Sequence, residues 1–170
     1  MSIKILLEDW EDDWKETLKS ENLNSFFSCE MYMIVHNGIE QMTINIATLY
    51  GTALLSIAAS VIDMIANKEN KTFRISGFGS AYDYFFIVKG REIKIEAVNV
   101  TNDRVEFFLF YDKTKFAHDF VKALKKHLQQ IAQVNNRIRE QETYKLLEQK
   151  LHAPLTQSSC VAIKNTGLKT

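Results

Sequence analysis

Cysteine is scarce in this chain: Cys29 and Cys160 are the only two among 170 residues. A bridge between them would close a very long loop, and nothing else in the sequence points to an oxidising compartment. Neither has a neighbouring basic cluster to lower its pKa, so both read as buried thiols. Cys-x-x-Cys and His-x-x-x-His are missing, which removes the commonest metal-ligand spacings. His118 and His127 are nine apart and fall on opposite sides of a helix. His118-Asp119 reads as a solvated helix face rather than half of a catalytic dyad. Gly-x-Ser-x-Gly is absent too. Ser76-Gly77-Phe78-Gly79-Ser80 lacks both the Lys-Ser/Thr of a P-loop and the third Gly of a dinucleotide turn, so it reads as a loop or bulge needing positive φ. No catalytic residue, metal or cofactor is expected, and the chain is read as a non-enzyme.

Net charge is missing as well. Twenty-one basic residues balance twenty-one acidic ones, which argues against a general nucleic-acid binder. The two signs are segregated, however. Residues 1–30 hold eight acids against three bases, and residues 111–170 hold eleven bases against five acids. Two oppositely charged surfaces, or docking of the two ends, would follow. The basic residues Lys115, Lys122, Lys125, Lys126, Arg137 and Arg139 read as the solvated face of a helix.

Between Gln41 and Ile62 there is no charged side chain, in a chain that is 25% charged overall. The stretch approaches the length of a membrane span, but Gln41, Thr43, Asn45, Thr48, Thr52, Ser56 and Ser60 interrupt it and its first half alternates like a strand. It therefore predicts a strand followed by a buried helix, in a soluble cytoplasmic protein without a membrane partner. MSIKILLEDW is too short an apolar lead for a secretory signal.

The periodicity predicts the remaining elements. Ile3–Leu7 is a strand or the lead-in to a helix, and Glu8–Glu21 is a helix on the Trp10, Trp14, Leu18 spacing. Phe26–His36 and Ile39–Ala47 form a hairpin about Asn37-Gly38, for which a type I′ turn is expected. Tyr50–Asn67 is the buried helix, with Tyr50, Leu54, Ile57, Val61 and Ile65 along one stripe. Strands follow at Thr72–Ser76, Tyr82–Lys89, Glu92–Val100 and Val105–Tyr111. A helix of about forty residues then starts at a cap, Asp112 or Thr114. Near Asn135-Asn136 it either breaks and folds back or projects as a coiled-coil arm, and Pro154 ends it.

The expected fold is α+β: an antiparallel sheet of about five to six strands, a buried central helix and a long C-terminal helix packed on one face. Residues 1–153 make one domain and 154–170 a C-terminal tail.

The acidic, Trp-bearing run Asp9, Trp10, Glu11, Asp12, Asp13, Trp14 is the candidate partner-binding site. Trp anchors among acids suit a basic partner, while the plainer reading puts both Trp side chains in the core. From the Asn37-Gly38 hairpin through Phe120 the layout resembles the immunity proteins that accompany bacterial polymorphic and contact-dependent toxins. The similar segments are FSCEMYMIVHNG, a central helix, YDYFFIVKGREIKIEA, and VEFFLFYDKTKFAHDFVKAL, where a strand runs straight into a helix. The resemblance implies a domain that binds a cognate protein toxin and occludes its active or docking surface. It carries over no functional residue. Two alternatives are a homodimer or assembly protein using the C-terminal helix, and a small-molecule-binding domain near Ser76–Tyr84.

Overall fold

The computed structural model describes residues 1–7, 13–19, 23, 25–66 and 70–159, and side chains within these except those of 13 and 153–159. Among the described residues seven strands form two antiparallel sheets instead of one sheet of five to six. The first sheet has the order β1 (Ser2–Leu7), β2 (Met31–His36), β3 (Gln41–Ile46). The second runs β4 (Lys71–Ile75), β5 (Tyr82–Lys89), β6 (Glu92–Asn99), β7 (Arg104–Asp112). Ile3–Leu7 is thus settled as strand: Ile3 and Ile5 face the core while Ser2, Lys4 and Leu6 face out, the period-two pattern of a half-buried strand.

The β2–β3 turn corrects the type I′ expectation. Gly38 has φ +104°, but Asn37 is not in the left-handed region. Register closes at His36 opposite Gln41, leaving a four-residue loop. Asn37 organises it as an Asx turn: Oδ1 accepts from the amides of Ile39 (2.9 Å) and Glu40 (2.7 Å). Its Nδ2 donates to the carbonyl of Phe110 on β7 at 3.0 Å. No ladder joins β3 to β7, so the sheets stay separate, and Asn37 ties the β2–β3 loop to β7 through its side chain. The amide of Asn45 on β3 donates to Tyr84 Oη on β5 at 2.8 Å.

Helix α2 (Tyr50–Ala66) follows its predicted span, and Tyr50, Leu54, Ile57 and Val61 are buried while Thr52 and Ser56 face out. Helix α1 (Asp13–Lys19) buries Leu18, and the rest of the predicted Glu8–Glu21 range lies outside the described residues. Helix α3 (Lys113–Val134) is capped by Asp112, whose Oδ1 accepts from the Lys115 amide at 2.8 Å.

The forty-residue helix does not persist. Asn135 turns extended, a 3₁₀ stretch covers Asn136–Glu140, and α4 (Glu142–Ser159) folds back. Asn135 caps the new start by accepting from the Arg137 amide and anchors the bend by donating to the Leu18 carbonyl. Tyr144, Leu147 and Leu151 are buried, so the thin apolar stripe packs within this chain. Gly51 permits the closeness of α4 to α2: a Cβ there would stand 2.8 Å from both Thr143 Cγ2 and Phe27 Cβ. The helix continues through Pro154 to Ser159, against the expected stop. Proline removes one intrahelical hydrogen bond, and here that loss does not end the helix.

Both sheets and the helices share one core. Its centre is aromatic: Phe116 meets Phe86 and Tyr111 edge-on, each at 5.6 Å between ring centroids. Among the described residues no helix is long and apolar enough to cross a membrane.

Candidate protein-binding cleft

A concavity of about 730 Å³ lies between the facing edges of β3 and β7. Met42, Tyr84, Ala97 and Leu109 are its buried lining residues. Around them stand Glu40, Gln41, Thr43, Tyr82, Glu106, Phe107 and Phe108. A break in register at Ala97/Val98 shapes this side: Phe107 pairs with Ala97 and Val105 with Val98, leaving Glu106 as the extra residue. Such a bulge re-aims neighbouring side chains. Phe107 and Phe108 are left 58% and 55% exposed, with Val105 and Phe110 also open. Large apolar side chains grouped on an open strand are a surface that water does not favour.

The strip is held in place by polar contacts. Tyr82 packs edge-on to Phe107 at 6.0 Å and donates its hydroxyl to Glu106 Oε2 at 2.7 Å. Asn99 Nδ2 donates to the other oxygen, Oε1, at 2.7 Å. These two bonds hold the Glu106 carboxyl below its usual range, and the bond to Glu106 raises the Tyr82 hydroxyl above its own. On the outer face Lys94 Nζ lies 4.7 Å from the Phe108 ring centre and 2.6 Å from Glu96. The cleft therefore joins an apolar floor, the Tyr82–Phe107 ring pair and an acidic rim of Glu40 and Glu106, with Phe108 at its outer edge.

A second groove, about 420 Å³, runs between β1 and α3 and is lined by Lys4, Lys115, Lys122 and Lys126. Asp119 there is buried, not a solvated residue as its neighbour His118 suggested; His118 is 72% exposed. Asp119 accepts from Lys115 (2.5 and 2.7 Å) and from Tyr111 Oη (2.7 Å), with His118 Nδ1 at 3.4 Å. Burial alone would raise its carboxyl pKa, but the bonds from Lys115, Tyr111 and His118 outweigh it and the net direction is down. The site is an anchor for the start of α3.

The acidic N-terminal run contributes little that can be placed. Asp9, Trp10, Glu11 and Asp12 lie outside the described residues, and Asp13 begins α1. Trp14 is half-buried against the core, with Lys15 Nζ 5.5 Å from its ring. The basic residues do not form one seam. Lys115, Lys122 and Lys126 share the β1–α3 groove, Lys125 is exposed outside its lining, and Arg139 lies over the Tyr144 ring at 5.8 Å.

The loop at Ser76–Ser80 is filled by its own groups. Asp83 accepts from the Gly77 amide and from Arg74, and Ser76 and Ser80 Oγ accept from the amides of Phe78 and Tyr82. The Ser80 amide donates to the Gly77 carbonyl. Phe78 and Gly79 take the positive φ that the sequence led one to expect, at +47° and +97°. With these amides already bonded, the loop does not offer an anion cradle. Cys29 is half-buried and burial pushes its thiol up to about 11; Cys160 lies outside the described residues. Among the described residues no group of three or more His, Cys, Asp or Glu is gathered to hold a metal.

Sequence reasoning missed the cleft. The one available signal was Val105-Glu106-Phe107-Phe108-Leu109-Phe110, apolar on both faces where Glu92–Glu96 alternates. Comparison with known proteins gives no match: no family model, curated protein or solved structure is significantly similar to this chain.

Proposed function

We propose that this chain is a non-catalytic protein-binding module, an inhibitor of the immunity type that neutralises a cognate toxin by covering its active or docking surface. The observation that supports this reading best is the pair Phe107 and Phe108, exposed beside the β3–β7 cleft. Interface hot spots are built from rigid aromatic anchors around a desolvated centre. The acidic rim favours a partner loop that brings apolar side chains flanked by Lys or Arg. This reading places the partner surface at the cleft, while Asp9, Trp10, Glu11 and Asp12 lie outside the described residues.

The test is affinity capture on the tagged chain, followed by co-expression with whatever protein is captured in stoichiometric amount. A toxin partner arrests growth when expressed alone and is silenced by the wild-type chain. Phe107→Ser with Phe108→Ser should weaken its binding by about thirtyfold, the equivalent of about 2 kcal/mol at a hot spot. Both rings are exposed, so the melting temperature should hardly move. A partner that is harmless alone, or that binds the double variant as tightly, overturns the reading.

A further inference from the structure

The groove between β1 and α3 is a separate surface with the opposite charge. β1 is an edge strand: it pairs with β2 on one side and with no strand on the other among the described residues. Five consecutive β1 residues, Ser2 through Leu6, line the groove. Successive side chains of a strand point to opposite faces, so a groove bordered by every residue in turn faces the strand edge-on. Along such an edge, unpaired N–H and C=O groups recur every ~7 Å, twice the rise per residue.

The opposite wall is one stripe of α3. Lys115, Asp119, Lys122, Lys126 and Gln130 recur at helical spacing and span ~22 Å at ~1.5 Å per residue. The ionisable side chains on the groove are Lys4 from β1 and Lys115, His118, Asp119, Lys122 and Lys126 from α3. Lys115 and Asp119 neutralise one another. Lys4, Lys122 and Lys126 have no ion pair among the described residues, which leaves three cations around an open strand edge.

We propose that this groove takes up an extended acidic polypeptide segment, which adds to β1 as a fourth strand while its carboxylates face Lys4, Lys122 and Lys126. Main-chain bonding along the edge supplies affinity, and the lysines select Asp and Glu. The edge favours a polypeptide over a nucleic acid, because β1 presents both donors and acceptors where a phosphate backbone can use only donors. No Phe, Tyr or Trp ring is among its lining residues to form a stacking platform, His118 being the one ring there, and no arginine lines it. The inference goes beyond the proposed cleft and needs no native partner for its test.

The experiment is calorimetric titration of the full chain with the peptide Ac-EVEVEVE-NH2. Comparison probes are the same peptide N-methylated at alternate amides, Ac-KVKVKVK-NH2, and a six-nucleotide oligothymidine. One-to-one saturation by the acidic peptide is expected, with slowed hydrogen exchange at alternate β1 amides. Lys122→Glu with Lys126→Glu should weaken it by about tenfold with the fold intact, both residues being exposed. N-methylation should abolish binding, a readout on the wild-type chain that does not depend on how the variant folds. No saturation by the acidic peptide up to about 1 mM, equal binding of the N-methylated or the basic peptide, or equal binding of the oligothymidine overturns the proposal. None of these outcomes bears on the Phe107–Phe108 cleft.

Discussion

His127 links folding to pH on the acid side of neutrality. It is 4% exposed on the inner side of α3, edge-on to Tyr50 at 5.7 Å, and its Nε2 has no hydrogen-bond partner. Tyr50 Oη and Asn45 Oδ1 are also buried and unpartnered, groups that cost folding free energy unless an internal water reaches them. Burial pushes His127 down from 6.5 to about 4. Unfolding returns it to the ordinary value, so between those limits the unfolded chain binds the extra proton. Stability is therefore complete above pH 6.5, falls as the pH drops from 6.5 to about 4, and loses about 3 kcal/mol in all, at 1.36 kcal/mol per pH unit. Urea melts across that range should show the loss, and His127→Gln should remove most of the slope. A profile flat to pH 4 would place His127 in contact with water. Asp119 acts later: its depressed carboxyl gives stability that is present above the unfolded value and lost as pH falls through the lower folded one. That places its contribution below the His127 window.

The bend at Asn135 is the element-scale decision in this molecule. Its side chain caps Arg137 and holds the Leu18 carbonyl at once, tying α1, α3 and the 3₁₀ turn together. Asn135→Ala removes both bonds and should cost about 2 kcal/mol, a cap of about 1 and a comparable side-chain bond. Denaturant midpoints would measure it. Asn135→Asp keeps the acceptor alone and should recover about half. An alanine variant as stable as wild type would show that Tyr144, Leu147 and Leu151 fix the bend by packing alone. The sequence made both outcomes at Asn135-Asn136 legible but could not choose. Whether a helix folds back depends on a surface to receive it, and that surface is α2, thinned at Gly51.

At the scale of the whole molecule, internal use of the α4 stripe removes the apolar seam on which the coiled-coil homodimer rested. The chain should be a monomer by light scattering at high micromolar concentration. A dimer that Phe107→Ser with Phe108→Ser dissolves would instead assign the β7 strip to self-association.

Strand spans were largely legible because period-two burial is written locally. Met31, Met33 and Val35, Met42, Ile44 and Ile46, and Ile93 and Ile95 are the inward residues that the alternation picks out. The stripe from Tyr50 and the cap at Asp112 were legible for the same reason. The cleft was not, because exposure of Phe107 and Phe108 depends on what lies beside β7, and no local pattern records a missing neighbour.

By itself the sequence determined the class, the order of elements and the inward faces, since these follow from side-chain spacing along one segment. Only the tertiary structure decided that there are two sheets, that α4 returns to the core, and that Lys4 meets Lys122 and Lys126 across a groove. Those outcomes depend on contacts between segments far apart in the chain, which spacing within a segment does not encode.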